Sequence, residues 1–251
     1  MVLAYSIFQL ITIALVVTFL FLAFKLAETN WSYKISKPHT WEAAVNNGNV
    51  STKLKRIERF YRDKVRFYVF WFQIERLKNK HIKGAFAEVG VYKGETAKIM
   101  HEMDPSRRLH LFDTFEGFNK KDLEHENVKD ANHSIDFSDT SVESVTKYID
   151  GNTNIVFHKG YFPDSAENLI TEKYAFVHLD ADLYKPTLSA LHYFYPLLAD
   201  GAVIIIHDYN HTWEGVTKAV DEFSKTIPES PVEIPDWQGS VMIVKNGVSS
   251  R

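Results

Sequence analysis

The sequence predicts a doubly wound α/β domain with a mostly parallel sheet, preceded by a helical segment and by one transmembrane helix. Three observations lead there: a charge-free apolar run near the N-terminus, a regular alternation of short apolar runs and helical stretches after Gly84, and a hydrophobic content of 45% over 251 residues. A chain of that size and composition buries one sizeable core. The formal net charge of -3 is small and both signs are interspersed, which disfavours nucleic acid as the main partner. The chain has no cysteine, which excludes disulfides, thiolate nucleophiles, Cys-ligated zinc and iron–sulfur clusters. Any metal here must use oxygen or imidazole ligands.

The first element is the run IFQLITIALVVTFLFLAF, residues 7–24. Extended back to Val2 it can cross about 30 Å of hydrocarbon at about 1.5 Å per residue, so residues 2–24 are expected to form a single-pass membrane anchor. The basic n-region and small-x-small cleavage site of a signal peptide are missing. No Lys or Arg precedes the run, whereas Lys25, Lys34 and Lys37 follow it, so the positive-inside rule predicts the C-terminal bulk in the cytoplasm. Residues 25–50 are expected as a linker, with Asn30, Ser32, Ser36, Pro38 and His39 showing no apolar periodicity.

Residues 51–83 form a helical extension or lid, since Leu54, Ile57, Phe60, Tyr61 and Val65 recur at helical spacing. Lys53, Lys55, Arg56, Arg59, Arg62, Lys64 and Arg66 outnumber the acids there. A solvated helix face packed on the domain is the favoured reading, and contact with anionic lipid headgroups is the alternative. Residues 84–251 form the α/β domain. Its expected strands are 85–89, 109–112, 154–158, 175–179 and 202–206, separated by helices over 95–103, 141–149, 185–198 and 212–224. That order puts ligands at the carboxyl ends of the strands. The stretch 119–138, rich in Asp, Glu, His and Asn, is expected as a mobile loop over this edge.

The first strand runs into AEVGVYKGETAKIM, where Gly90 and Gly94 allow a tight strand-to-helix turn. Tyr92 replaces the middle glycine of a dinucleotide fingerprint. Glu88 can accept from an amino group, and Thr96 with the helix N-terminus can bind a carboxylate, so an amino-acid-like cofactor suits the loop better. A turn with purely structural glycines is the competing reading. Asp113 follows at roughly the twenty-residue distance at which such folds place a carboxylate on ribose hydroxyls, unless it only caps a turn.

The fourth strand ends FVHLDADLY and the fifth VIIIHDYN, which brings Asp180, Asp182, His207 and Asp208 to one edge. Such donors suit a hard divalent ion such as Mg²⁺, with Asp180 and Asp208 as ligands and His207 nearby. Asp182 then removes a proton from a substrate hydroxyl. Helix capping is the competing role for these acids. His178, His192 and His211 read as packing or surface residues.

In sequence order, EVGVYKG, LFDTFEGF, HKGYFPDS, HLDADLY, ADGAVIIIHDYN and GVTKAVDEF resemble the macrocin O-methyltransferase (TylF-like) family, from about Phe72 onward. The resemblance implies a Rossmann-like class I methyltransferase fold in which Glu88, Gly90, Gly94 and Asp113 hold S-adenosylmethionine. It also places Lys159, Gly160 and Phe162 beside the adenine. It further implies Mg²⁺ at Asp180 and the acids after the last strand, with Asp182 as general base toward a sugar hydroxyl. One departure stands out: the family commonly has two consecutive aspartates where this chain has His207 and Asp208. Imidazole is the poorer Mg²⁺ ligand, which leaves another ion or a metal-free site open.

The partners expected are a small-molecule or glycan acceptor and the membrane, with homo-oligomerisation left open. Three rival readings stand beside this one. A dinucleotide oxidoreductase lacks its middle glycine. A metal-dependent hydroxylase-like relative, similar to cephalosporin hydroxylase-like proteins, would share the His-Asp pair and use iron. A catalytically inactive membrane-tethered binding protein is disfavoured by the full set of acids.

Overall fold

The computed structural model describes residues 2–32, 37–123, 137–169, 171–210 and 214–247. The chain divides into two compact units, residues 1–47 and 48–251. In the first, α1 (Val2–Ser32) carries the apolar run. Its stretch Tyr5–Glu28 has a mean hydropathy of 2.6 and buries none of its residues, which makes it long and apolar enough to cross a membrane. The stretch expected as a linker differs from that expectation. α1 continues through Ser32, and α2 (His39–Asn46) starts behind Pro38, whose restricted φ suits a helix start. The polar residues around Pro38 hide the short helix-forming run that follows them. Residues 33–36 of this stretch lie outside the described residues.

The second unit opens with α3 (Thr52–Phe60) and α4 (Lys64–Asn79), two pieces within the predicted helical segment. Ser51 caps α3 by accepting from the Leu54 N–H at 2.9 Å, and Asp63 caps α4 by accepting from the Arg66 N–H at 3.0 Å. α4 buries Phe67, Phe70, Trp71, Ile74 and Leu77, at the spacing that lines one helix face. The Phe70 ring meets Phe176 and His178 at centroid distances of 5.1 and 5.0 Å, so this segment packs on the sheet within the same compact unit. Of the basic residues, Lys53 pairs with Glu102 at 2.8 Å, Lys64 bonds the Glu58 carbonyl and Arg66 is buried. Lys55, Arg56, Arg59 and Arg62 remain exposed.

The sheet follows as β1 (Ala85–Val89), α5 (Glu95–Met103), β2 (Leu109–Asp113), α6 (Lys120–Leu123), α7 (Val142–Ile149), β3 (Ile155–Lys159), β4 (Tyr174–Leu179), α8 (Tyr184–Phe194), β5 (Leu198–Ile206), α9 (Glu214–Ser224), β6 (Val232–Ile234) and β7 (Ser240–Val244). The strand order is β3-β2-β1-β4-β5-β7-β6. The first five strands run parallel, and β7 is antiparallel to both β5 and β6. β1 and β4 are buried along their whole length, as strands covered on both faces must be. The chain order reverses between β1 and β4, which opens a crevice at their carboxyl ends.

The five parallel strands stand where the apolar runs predict them. The β6–β7 hairpin was not predicted, because PVEIP puts a three-residue strand between two prolines. In the loop expected over the crevice, residues 124–136 lie outside the described residues, as do His211 and the start of the last predicted helix.

Gly90 shows how closely β1 and β4 approach. An added Cβ there would stand 1.9 Å from the Asp180 carbonyl oxygen, at a φ of +83°. Gly48 has a comparable φ of +74° with nothing within 4 Å. Gly48→Ala should therefore cost only the left-handed strain of about 1–2 kcal/mol. Gly90→Ala should add an overpacking loss of about 1–3 kcal/mol. Urea unfolding of the full chain in detergent, followed by tryptophan fluorescence, measures both, and equal losses would show that the two strand ends do not press on each other.

Candidate active site

The backbone ladders continue one step beyond the strands, and this aligns the segments that carry chemistry. Gly90 N–H donates to the Phe112 carbonyl at 3.0 Å, Asp180 N–H to Val89 at 2.8 Å, His207 N–H to Leu179 at 2.9 Å, and Gly160 N–H to Asp113 at 3.0 Å. Between them lies a cavity of about 470 Å³, within the usual range of small-ligand sites. Tyr61 and Arg66 from the region before β1, and Gln238 from the β6–β7 connection, complete its wall.

One side of the cavity is the loop after β1. Gly94 caps α5 in the left-handed conformation, with Val145 Cγ1 2.8 Å from where a Cβ would be. Tyr92 adopts a φ of +48°, unusual for a non-glycine residue, and its ring meets Phe137 edge-on at 5.0 Å. The Asp113 carboxylate holds this turn in place. Its Oδ2 accepts from the N–H groups of Val91 at 2.7 Å and Tyr92 at 2.9 Å, and its Oδ1 from Phe115 at 2.7 Å. Thr96, in the first turn of α5, lines the cavity, as do Gly160 and Phe162. The Phe162 ring is held edge-on against Phe112 at 5.4 Å and stacked on Phe194 at 5.6 Å.

Two of the expected cofactor residues do not face the cavity. Glu88 is fully buried and sits in register with His178 on the neighbouring strand, which puts their side chains together at 2.8 Å. Burial raises the Glu88 carboxyl above its ordinary value, against the opposing effects of His178 and Thr96. Lys159 ends the edge strand β3 with an exposed side chain, paired to Glu116 at 2.8 Å.

The other side is acidic, as expected. Asp180, Asp182, His207 and Asp208 all line the cavity, with Asp182 and Asp208 at positive φ values of 59° and 63°. Ligand-type atoms of Asp180, His207 and Asp208 lie within 4.8 Å of one another. His207 Nδ1 is 2.7 Å from Asp180 Oδ1 and 3.1 Å from Asp208 Oδ2. It is aimed at Asp180, with Asp208 as its second, longer ion-pair partner. Burial opposes a charge on His207, yet Asp180 and Asp208 push its pKa up to about 11. Burial would also raise Asp180, but His207, His178 and Arg66 bring its carboxyl below the usual range. Asp182 is raised well above that range, first by burial and then by Asp208 and Asp180.

The sequence reading missed what stands behind His207. Arg66 is 8% exposed, bonds Asp236 Oδ2 at 3.1 Å and the Trp237 carbonyl at 2.8 Å, and contacts His207 Nε2 with its Nη2. Asp63 accepts from the Trp237 N–H at 2.9 Å, which latches α4 to the β6–β7 connection. No local signal marks Arg66, since its partners lie about 140 to 170 positions away along the chain.

This geometry tests the expected ion. A ligand must offer a lone pair, but His207 engages Asp180 with Nδ1, while Nε2 lies against the Arg66 guanidinium and 3.2 Å from the Trp237 carbonyl. The three residues converge as predicted, but His207 does not present a free nitrogen to Mg²⁺. Of the expected set, the carboxylates of Asp180 and Asp208 remain as oxygen donors, and His207 has partners at both ring nitrogens.

The family model of macrocin-O-methyltransferase (TylF) matches residues 39–243. The chain is 26% identical over 155 residues to the 8-demethyl-8-(2,3-dimethoxy-alpha-L-rhamnosyl)-tetracenomycin-C 4'-O-methyltransferase of Streptomyces olivaceus, covering 54% of this chain and 57% of that protein. It is 28% identical over 151 residues to the mycinamicin III 3''-O-methyltransferase of Micromonospora griseorubida, covering 54% and 59%. The match thus spans less than two thirds of either relative. Among solved structures it is similar in fold to the O-methyltransferase NovP, with a TM-score of 0.61 and 20% identity over 73% of this chain and 81% of that one. The calicheamicin methyltransferase CalS11 follows at a TM-score of 0.55 and 18% identity, over 88% and 90%.

Asp113→Ala removes the acceptor of three backbone N–H groups, each costing about 1–3 kcal/mol when left buried and unpaired. Hydrogen exchange read by mass spectrometry should accelerate across residues 90–96 while β4 and β5 stay protected. Unchanged protection of the loop would show that the carboxylate does not hold it.

Proposed function

Since the chain belongs to the macrocin O-methyltransferase (TylF) family, we propose that it transfers a methyl group from S-adenosylmethionine to a hydroxyl of a sugar or glycan-like acceptor. The observation that carries this reading is the single cavity of about 470 Å³ that joins the glycine turn and Asp113 to the carboxylates of Asp182 and Asp208. The curated relatives support it: both are named O-methyltransferases, one for a rhamnosyl-bearing compound.

Bound in this cavity, S-adenosylmethionine would supply a methyl group activated by a positive sulfur. The chain's own residues do the rest. The N-terminus of α5, with Thr96, receives the carboxylate of an amino-acid moiety. Asp113 already accepts three hydrogen bonds of the roughly four a carboxylate can take, which leaves about one for a ribose hydroxyl. Phe112 and Phe162 give an apolar wall for a purine, and Gly160 beside them adds no side chain. The buried Glu88–His178 pair keeps Glu88 away from the ligand and supports the end of β4 from below.

At the other end, Asp182 takes the acceptor's proton as the new O–C bond forms and the methyl–sulfur bond breaks. Its raised basicity brings it closer to the value a base needs near neutral pH. Asp208, which also lines the cavity, can accept from an acceptor hydroxyl and orient it. α1 is the membrane anchor in this reading, and the larger unit lies on the cytoplasmic side, supported by Lys25 near the end of the span and Lys37 after it, with no Lys or Arg before it.

Two experiments check this. Calorimetric titration of the full chain in detergent should show binding of S-adenosylmethionine and none of NADH. Asp113→Ala should weaken that binding, whereas Asp182→Asn should leave it unchanged and lower turnover of a deoxysugar panel by about 10²- to 10⁴-fold. NADH binding with S-adenosylmethionine silent would overturn the reading. For the anchor, alkaline extraction should leave the chain in the membrane pellet, and protease should reach the larger unit only from the cytoplasmic face.

A further inference from the structure

Arg66 is a buried charged group that methyl transfer, as described, does not use. The guanidinium is almost fully enclosed, with a side chain 9% exposed, and the Asp236 carboxylate it binds is 1% exposed. Asp63 stands 3.5 Å from its Nη2 and is 8% exposed. Burying so many charges is costly unless they are paired and hydrogen-bonded, and here they are. The same guanidinium reaches past these partners to His207, the residue at the centre of the acidic edge.

The chain of contacts has a direction. Arg66 and the Trp237 carbonyl stand behind His207 at Nε2, while the opposite nitrogen bonds Asp180 and lies next to Asp208, so both ring nitrogens have partners. His207 thus sits between the two carboxylates, the place an ion shared by them would take. A divalent ion bound by Asp180 and Asp208 would also have to stand close to a permanent guanidinium charge. In a buried site of low effective dielectric that repulsion is much stronger than in water.

Resting on the reading of this cavity as the methyl-transfer site, we infer that Arg66 and His207 take the place of a divalent ion, so that the protein's own side chains balance the acidic edge and transfer needs no metal. His207 bridges the carboxylates, and Arg66 is a positioning residue that acts through His207. The Asp182 and Asp208 carboxylates still line the cavity, where an acceptor hydroxyl can reach them.

The test reads metal binding directly. The full chain in detergent, stripped with EDTA, is titrated with Mn²⁺ and the free ion is followed by electron paramagnetic resonance. The wild-type chain should show no saturable binding that Asp208→Asn removes. The double variant Arg66→Met with His207→Asp clears the guanidinium and supplies an oxygen ligand, and it should bind Mn²⁺ at least ~10-fold more tightly than wild type. Saturable binding by the wild-type chain that is lost in Asp180→Asn and Asp208→Asn would overturn the inference. A double variant as silent as wild type would also overturn it, since Arg66 and His207 would then not be what keeps the ion out. Circular dichroism on the same samples confirms that each variant is folded, and calorimetry with S-adenosylmethionine reports separately on the proposed function, while the Mn²⁺ titration of folded samples decides the inference whichever way the calorimetry falls.

Discussion

The ends of β1 and β4 meet so closely at Gly90 that a Cβ there would overlap the Asp180 carbonyl, and most of the site's geometry follows from that approach. With no side chain between them, the turn after β1 and the acids after β4 become walls of one cavity. The Asp113 carboxylate then finds the N–H groups of Val91 and Tyr92 within reach and fixes the turn from the β2 side. The crevice at the point where strand order reverses is thereby built from backbone contacts, and the side chains that line it inherit their positions from the sheet.

Concentrating acids at such an edge carries an electrostatic cost that the rest of the fold answers. Asp180, Asp182 and Asp208 converge because their strands are neighbours, and each raises the free energy of charging the others. The counter-charge comes from His207 on the same edge and from Arg66 on α4, far away in sequence. Arg66 is held by Asp63 and Asp236, and Asp63 also receives the Trp237 N–H. The short antiparallel hairpin at the end of the chain therefore matters to the site, since its connection supplies Asp236, Trp237 and the cavity residue Gln238. Buried pairs of this kind give little net stability, but removing one partner leaves an uncompensated charge.

Glu88 illustrates a different division of labour. A carboxylate at the end of the first strand is a natural candidate for binding a ligand amino group, but the cross-strand register places His178 beside it. The pair forms part of the layer between sheet and α4, where Phe70 packs on the His178 ring. The turn, Thr96 and Asp113 line the cavity instead. The chain thus keeps its polar groups in two layers, one that supports the strand ends and one that lines the cavity.

Short-range chemistry is what the sequence by itself determined. The period of apolar residues marked the five parallel strands and most of the helices between them, the composition of residues 7–24 marked the apolar helix, and the residues that follow each strand marked Gly90, Gly94, Asp113, Asp180, Asp182, His207 and Asp208 as neighbours on one edge. Each of these rests on patterns a few residues long, which a parallel sheet converts into proximity because it aligns strand ends. Tertiary structure alone decided the partners. Glu88 met His178 through register, Lys159 turned outward because its strand is an edge, and β6 was too short and too bracketed by proline to show a period. Arg66 read as one more base on a helix, because nothing local distinguishes a solvated arginine from a buried one until packing brings Asp236 and His207 to it.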